Sequence, residues 1–156
     1  MTYLELLIQL FSVFNYHRYT FIGFNIAILT FLLTSCGDSK IVQCQKIAQI
    51  SQKISQQAQA SQDTQDPNRI GDIAQKFTDA AKQLDELSIN DAQLYTYKND
   101  LSDVYKSYSK STFLIIDAIK NKNIKTARLA KEEVTQTSKK EQTLGQEISK
   151  YCQKSG

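Results

Sequence analysis

The 156-residue chain carries 19 basic and 16 acidic side chains, and a formal charge of +3 is too small to point to nucleic acid as a partner. Its only histidine is His17, its only methionine is Met1, and it has no tryptophan. Beyond residue 35 the chain therefore cannot build His- or Met-ligated haem, a Glu-x-x-His di-iron bundle site, or a Ser-His or Cys-His nucleophile system.

The chain opens on an apolar segment. Phe21 to Leu33 is a 13-residue hydrophobic core interrupted by Gly23 and Asn25 and preceded by the basic pair His17-Arg18. A membrane-spanning helix needs about 20 predominantly apolar residues, so residues 1–35 read as a targeting segment outside the fold. The segment closes on Leu33-Thr34-Ser35-Cys36, just before the sequence turns polar. A small-residue tetrapeptide ending in Cys at that boundary resembles the lipobox of bacterial lipoproteins.

The resemblance implies cleavage before Cys36 and lipid on its sulfur, which makes the membrane the first expected partner. More than one acyl chain is expected there, because a single chain anchors only marginally. It also implies a domain that is exported and membrane-anchored, facing the periplasm or an equivalent extracytoplasmic, lumenal space. Residues 36–40 then form the lipidated N-terminus and tether, 41–153 the folded domain and 154–156 a tail. The alternative is an uncleaved membrane anchor with Cys36 incidental. With Cys36 assigned to lipid, three cysteines reduce to a pair, Cys44 and Cys152. An exported compartment permits a disulfide between them. Two buried free thiols or a redox pair are the other readings, although neither residue stands in a C-x-x-C motif.

Beyond the segment, β alternation is absent and helical periodicity is clear. Cys44, Ile47, Ile50, Ile54 and Ala58 recur at three- and four-residue steps, and nine of the residues from Gln43 to Gln65 are glutamine, a solvated face. Asp66 caps a second helix with Pro67 at its first position. Its apolar stripe is Ile70, Ile73, Ala74, Phe77, Ala81, Leu84 and Leu87. Asn90, with Gln93 three residues on, reads as the next cap, before a third helix from Asp91 to Lys120. That helix holds Leu94, Tyr97, Leu101, Val104, Tyr108, Ile115 and Ala118 in register, with Ser111 as a polar gap. Asn121-Lys122-Asn123 makes a turn into a last helix carrying Ala127, Ala130, Val134, Thr137, Leu144, Ile148 and Tyr151 on one face, with Glu141 as the exception.

Four amphipathic helices with short connections predict an all-α, up-down-up-down four-helix bundle. That topology brings Cys44 and Cys152 to the same end, and on the lipobox reading turns the Asn121–Asn123 loop away from the membrane.

Little chemistry remains. Gly37, Gly71, Gly145 and Gly156 form no phosphate loop, and no cofactor or metal is expected. Asp100 with Asp103, or Glu132 with Glu133, read as solvated charges rather than acid–base pairs, so the domain is expected not to be an enzyme. Glu141 on the core face is expected to find a basic partner or tilt to the rim, since an unpaired buried charge is costly. Tyr97 and Tyr108 lie on the core spacing, whereas Tyr95 and Tyr105 lie off it and are candidate contacts for a protein partner. Lys120, Lys122, Lys125 and Arg128 gather at the distal turn, where an acidic partner could dock.

The opening Cys36-Gly37-Asp38-Ser39-Lys40 with Cys44, and the closing Tyr151-Cys152, resemble small helical lipoproteins of cyanobacteria that carry no assigned activity. The expected function is thus non-catalytic binding, scaffolding or assembly at a membrane. The competing expectation is a bundle that takes a small apolar or anionic ligand in a cavity near Glu141 or among the aromatics of the third helix.

Overall fold

Helices begin in this chain where a short side chain can accept from the free N–H groups of the first turn. The computed structural model describes residues 38–59 and 66–154, and among these it contains four helices and no strand. They are α1 (Lys40–Gln59), α2 (Pro67–Glu86), α3 (Ala92–Lys120) and α4 (Ile124–Gln153). The tetrapeptide at 33–36, and with it Cys36, lies outside the described residues, as do residues 60–65 at the far end of the expected first helix. No described helix is long and apolar enough to cross a membrane.

Three of the starts are built by side chains the sequence places there. Asp66 accepts from Asn68 N at 2.9 Å with Pro67 as the first helical residue, as expected. Asn123 accepts from Thr126 N at 3.1 Å and opens α4. At α3 the expected cap is corrected: Asp91, not Asn90, is the cap, accepting from Leu94 N at 2.9 Å. The reason is that the backbone N–H groups of Asn90 and Asp91 are both drawn to the side-chain oxygen of Gln43, at 2.8 and 3.0 Å. Gln43 is correspondingly buried rather than part of a solvated face, and its amide also donates to the Asp38 carbonyl at 2.7 Å.

One end of the bundle gathers the start of α1, the α2–α3 connection and the end of α4, which establishes the up-down-up-down order. Cys44 and Cys152 are joined, with an S–S distance of 2.05 Å and Cα atoms 6.1 Å apart. Tyr151 donates to the Asp91 carboxylate at 3.0 Å, its ring meets Tyr97 edge-on at 5.9 Å, and the Lys40 ammonium sits over it. Lys98, buried on α3, donates to the carbonyls of Asp85 and Leu87 and so satisfies the C-terminus of α2.

The helices do not share the packing equally. α3 lies between α2 and α4 along most of its length, whereas α1 leans mainly on α2 and meets α3 and α4 sparingly. The core runs through Ile47 and Ile54 of α1, Ala80, Ala81 and Leu84 of α2, Leu94, Leu101, Val104, Tyr105 and Tyr108 of α3, and Leu144 of α4. One sequence expectation fails here. Tyr105 is fully buried and cannot contact a partner from the surface, because α3 has neighbours on three sides and buries a wider arc than a single three-and-four stripe. Tyr95 is exposed as expected, with the Lys98 ammonium 4.9 Å above its ring.

Candidate functional site

The sparse meeting of α1 with α4 has a cause in their facing residues. Beyond the disulfide, α1 offers Ala48, Ser51, Gln52 and Ser55, and α4 offers Gly145 and Ser149. None is large and apolar enough to close the helices on each other. The result is a groove of about 690 Å³ between α1 and α4, floored by Leu101 and Tyr105 of α3 and walled at one end by Ile41, Ile148 and the disulfide. That volume falls within the range of about 300–1,000 Å³ usual for small-molecule sites. A Cβ added at Gly145 would meet no atom within 4 Å, which makes the glycine an opening rather than a packing requirement. The groove spans α1 from Ile41 to Ser55, roughly 20 Å at 1.5 Å per residue.

Polar side chains stand on both walls, Gln45, Ser51, Gln52 and Ser55 on α1 and Glu141, Ser149 and Gln153 on α4, and the floor adds the hydroxyl of Tyr105. Tyr105 has no exposed surface, yet among the described residues its hydroxyl is the one buried side-chain polar atom without a hydrogen-bond partner. Ser51 is close enough to favour the ionised phenol, and its oxygen remains free to accept while its hydroxyl donates to the Ile47 carbonyl at 3.1 Å, but no well-formed bond joins the two. Burial dominates and pushes the Tyr105 pKa up to about 12. Leaving a buried hydroxyl unpaired costs about 1–3 kcal/mol. An acceptor from outside would recover that cost only by displacing the side chains that cover the hydroxyl.

Among the described residues, Glu141 is the only charged side chain on the groove lining. Its expected basic partner is not there. Half-buried, it accepts a 2.8 Å bond from the hydroxyl of Tyr108, and among the described residues no ammonium or guanidinium lies within ion-pair distance. Burial, seconded by the adjacent carboxylate, drives the Tyr108 pKa well above the ordinary phenol range. Phe77 supports both phenols from behind, stacking on Tyr108 at 4.8 Å and tilted against Tyr105 at 5.8 Å. An anionic head placed in the groove would meet the Glu141 carboxylate.

The other residues singled out from sequence lie elsewhere. Lys120, Lys122, Lys125 and Arg128 are exposed around the α3–α4 turn at the opposite end from the disulfide. Asp103 lies in a surface ion pair with Lys106 at 3.8 Å, and Glu132 and Glu133 are exposed on α4. No group of His, Cys, Asp or Glu among the described residues could hold a metal ion. The groove itself left a sequence signal that periodicity of apolar residues passes over. Small residues recur at helical spacing as Ala48, Ser51 and Ser55 on α1, and as Gly145 and Ser149 on α4. No protein-family model matches the chain, and no curated protein or solved structure matches it either.

Proposed function

We propose that this chain is a membrane-tethered, extracytoplasmic binding protein whose bundle holds a small, uncharged apolar ligand in the α1–α4 groove. The observation that carries the proposal is the pairing of an apolar groove with a fully buried, unpartnered Tyr105 hydroxyl on its floor. Such a site favours a hydrocarbon body bearing one hydroxyl or carbonyl. The ligand oxygen accepts from Tyr105 once the side chains that cover the hydroxyl move aside, and a ligand hydroxyl donates in turn to the Glu141 carboxylate. The apolar body covers Ile41, Ile148, Leu101 and the disulfide, with a gain of about 25 cal/mol for each Å² removed from water. Tethering and export rest on the lipobox resemblance at Leu33–Cys36, and no catalytic step is proposed.

An uncharged environment-sensitive dye, Nile red, tests the groove. The wild-type chain should bind it with a rise in emission, and Gly145→Leu should abolish the rise while leaving the helical circular dichroism unchanged, because the new side chain enters open space. Equal dye binding by wild type and Gly145→Leu would remove the groove from the account.

A further inference from the structure

The α3–α4 turn combines three features that the groove does not use. First, the most exposed large aliphatic side chains of the described residues flank it: Ile124 is 83% and Ile119 61% exposed. Leu114 and Leu129 extend the apolar surface down the two helices, facing each other across a shallow cleft. Second, Lys120, Lys122, Lys125, Arg128 and Lys131 are interleaved with these residues, and no acidic residue occurs from 118 to 131. None of the five makes an ion pair among the described residues. Third, the apex is locked. Asn123 N donates to Ala118 O at 2.8 Å and Lys122 N to Ile119 O at 3.1 Å, a Schellman closure of α3. Lys122 occupies its left-handed position, with φ 55°, where glycine is the usual occupant. The strained position thus displays a cation at the tip.

We infer that this tip is a lipid-surface contact, inserting Ile119 and Ile124 into the interface of an anionic bilayer while the surrounding cations engage headgroup phosphates. The shape decides for a bilayer over an acidic protein. The tip is a convex apex with aliphatic side chains at its summit, and a fluid interface deforms around such a wedge to depths of about 5–10 Å. A folded acidic partner would need a matching concave apolar socket. The charge decides for anionic lipid over neutral lipid. Each basic residue at an anionic surface strengthens binding roughly fivefold at physiological salt, an effect that fades as salt rises. The inference does not depend on the groove, and on the lipobox reading, which tethers the opposite end, the bilayer met by the tip is a second one facing the tethering membrane.

The chain has no tryptophan, so a single introduced one reports the tip alone. The full chain bearing Ile124→Trp, and separately Ile119→Trp, is added to vesicles of phosphatidylcholine with and without phosphatidylserine. Emission should shift to shorter wavelength with the phosphatidylserine vesicles only. The shift should be lost when Lys120, Lys122, Lys125 and Arg128 are changed to Gln, which lowers the apparent affinity by roughly several hundredfold. Membrane attachment through the N-terminal segment does not by itself move a reporter at the tip. An unshifted emission on phosphatidylserine vesicles overturns the inference, and so does an equal shift on neutral ones. A shift without lipid that grows with protein concentration would assign the tip to a second copy of the chain. A shift produced equally by polyaspartate would assign it to an acidic polypeptide, and either result overturns the bilayer.

Discussion

Removing the disulfide should loosen one helix more than the bundle. Cys44 and Cys152 close a loop across 108 residues, for which chain-entropy reasoning gives about 4.7 kcal/mol of stabilisation. The consequence is local, because α1 brings only Ile47 and Ile54 as large buried apolar side chains, is otherwise tied by Gln43 to the α2–α3 connection, and touches α4 sparingly apart from the bond. The α2–α3–α4 assembly keeps its own contacts when the bond is cut. Cys44→Ser with Cys152→Ser should therefore lower the urea unfolding free energy by about 3–5 kcal/mol. In the same variant, amide hydrogen exchange should accelerate in α1 well before α2–α4. Unfolding curves of the oxidised and serine forms, with exchange read by mass spectrometry, measure both effects. A loss below about 1 kcal/mol, or exchange that accelerates evenly over all four helices, would refute the view that the bond is the staple of α1.

Other perturbations give sharper local readings. Tyr105→Phe removes the unpaired hydroxyl and should stabilise the ligand-free chain by up to about 1 kcal/mol in thermal unfolding. Gly145→Ala should stabilise by about 0.8–1 kcal/mol, since helix propensity improves and the added methyl meets nothing. The pH profile follows from two carboxylates and three phenols. Asp85 is held below its usual 3.8 chiefly by the Ser102 hydroxyl and then Lys106, and Asp91 is held low chiefly by the Leu94 N–H. For both, the unfolded chain takes up protons first as the pH falls, so their stabilisation is complete above 3.8 and is lost below it through the lower native values. Tyr105 works in the opposite direction: its phenol stays protonated in the fold up to about 12, so stability declines as the pH rises from 10 towards 12. Denaturation followed across both ranges checks the signs, and Tyr105→Phe should reduce the alkaline limb but leave the share of Tyr108 and Tyr151, whose phenols burial also pushes up. Metabolic labelling with a radioactive fatty acid should mark the wild-type chain and not Cys36→Ser, and equal labelling would reject lipid at that residue.

Much of the fold was legible because one-sided burial writes itself as three-and-four spacing. The α2 stripe from Ile70 to Leu87, the Asp66-Pro67 start and the Asn121–Asn123 turn are local signals, and the structure bears them out. The misreadings fall where tertiary context decides. Gln43 belongs to a Gln-rich surface pattern, yet its partners are backbone groups 47 and 48 residues away that no local rule reveals. Tyr105 is off the stripe of α3, but α1 comes over that side and buries it. Glu141 was visible as an exception on the core face, whereas its tyrosine partner required the α3–α4 register. The groove was illegible for a further reason: it depends on what small side chains fail to fill, and an absence of volume carries no apolar periodicity.

The most direct test of the central claim compares two ligands of equal length. A long-chain primary alcohol and the carboxylate of the same chain are titrated calorimetrically into the wild-type protein at neutral pH. The Tyr105 hydroxyl can donate to either head, so the Glu141 charge decides between them. The alcohol should bind about tenfold or more tightly than the carboxylate, and Gly145→Leu should lose it. A carboxylate that binds as well as the alcohol, or alcohol binding that survives Gly145→Leu, would contradict the assignment of the groove to an uncharged ligand.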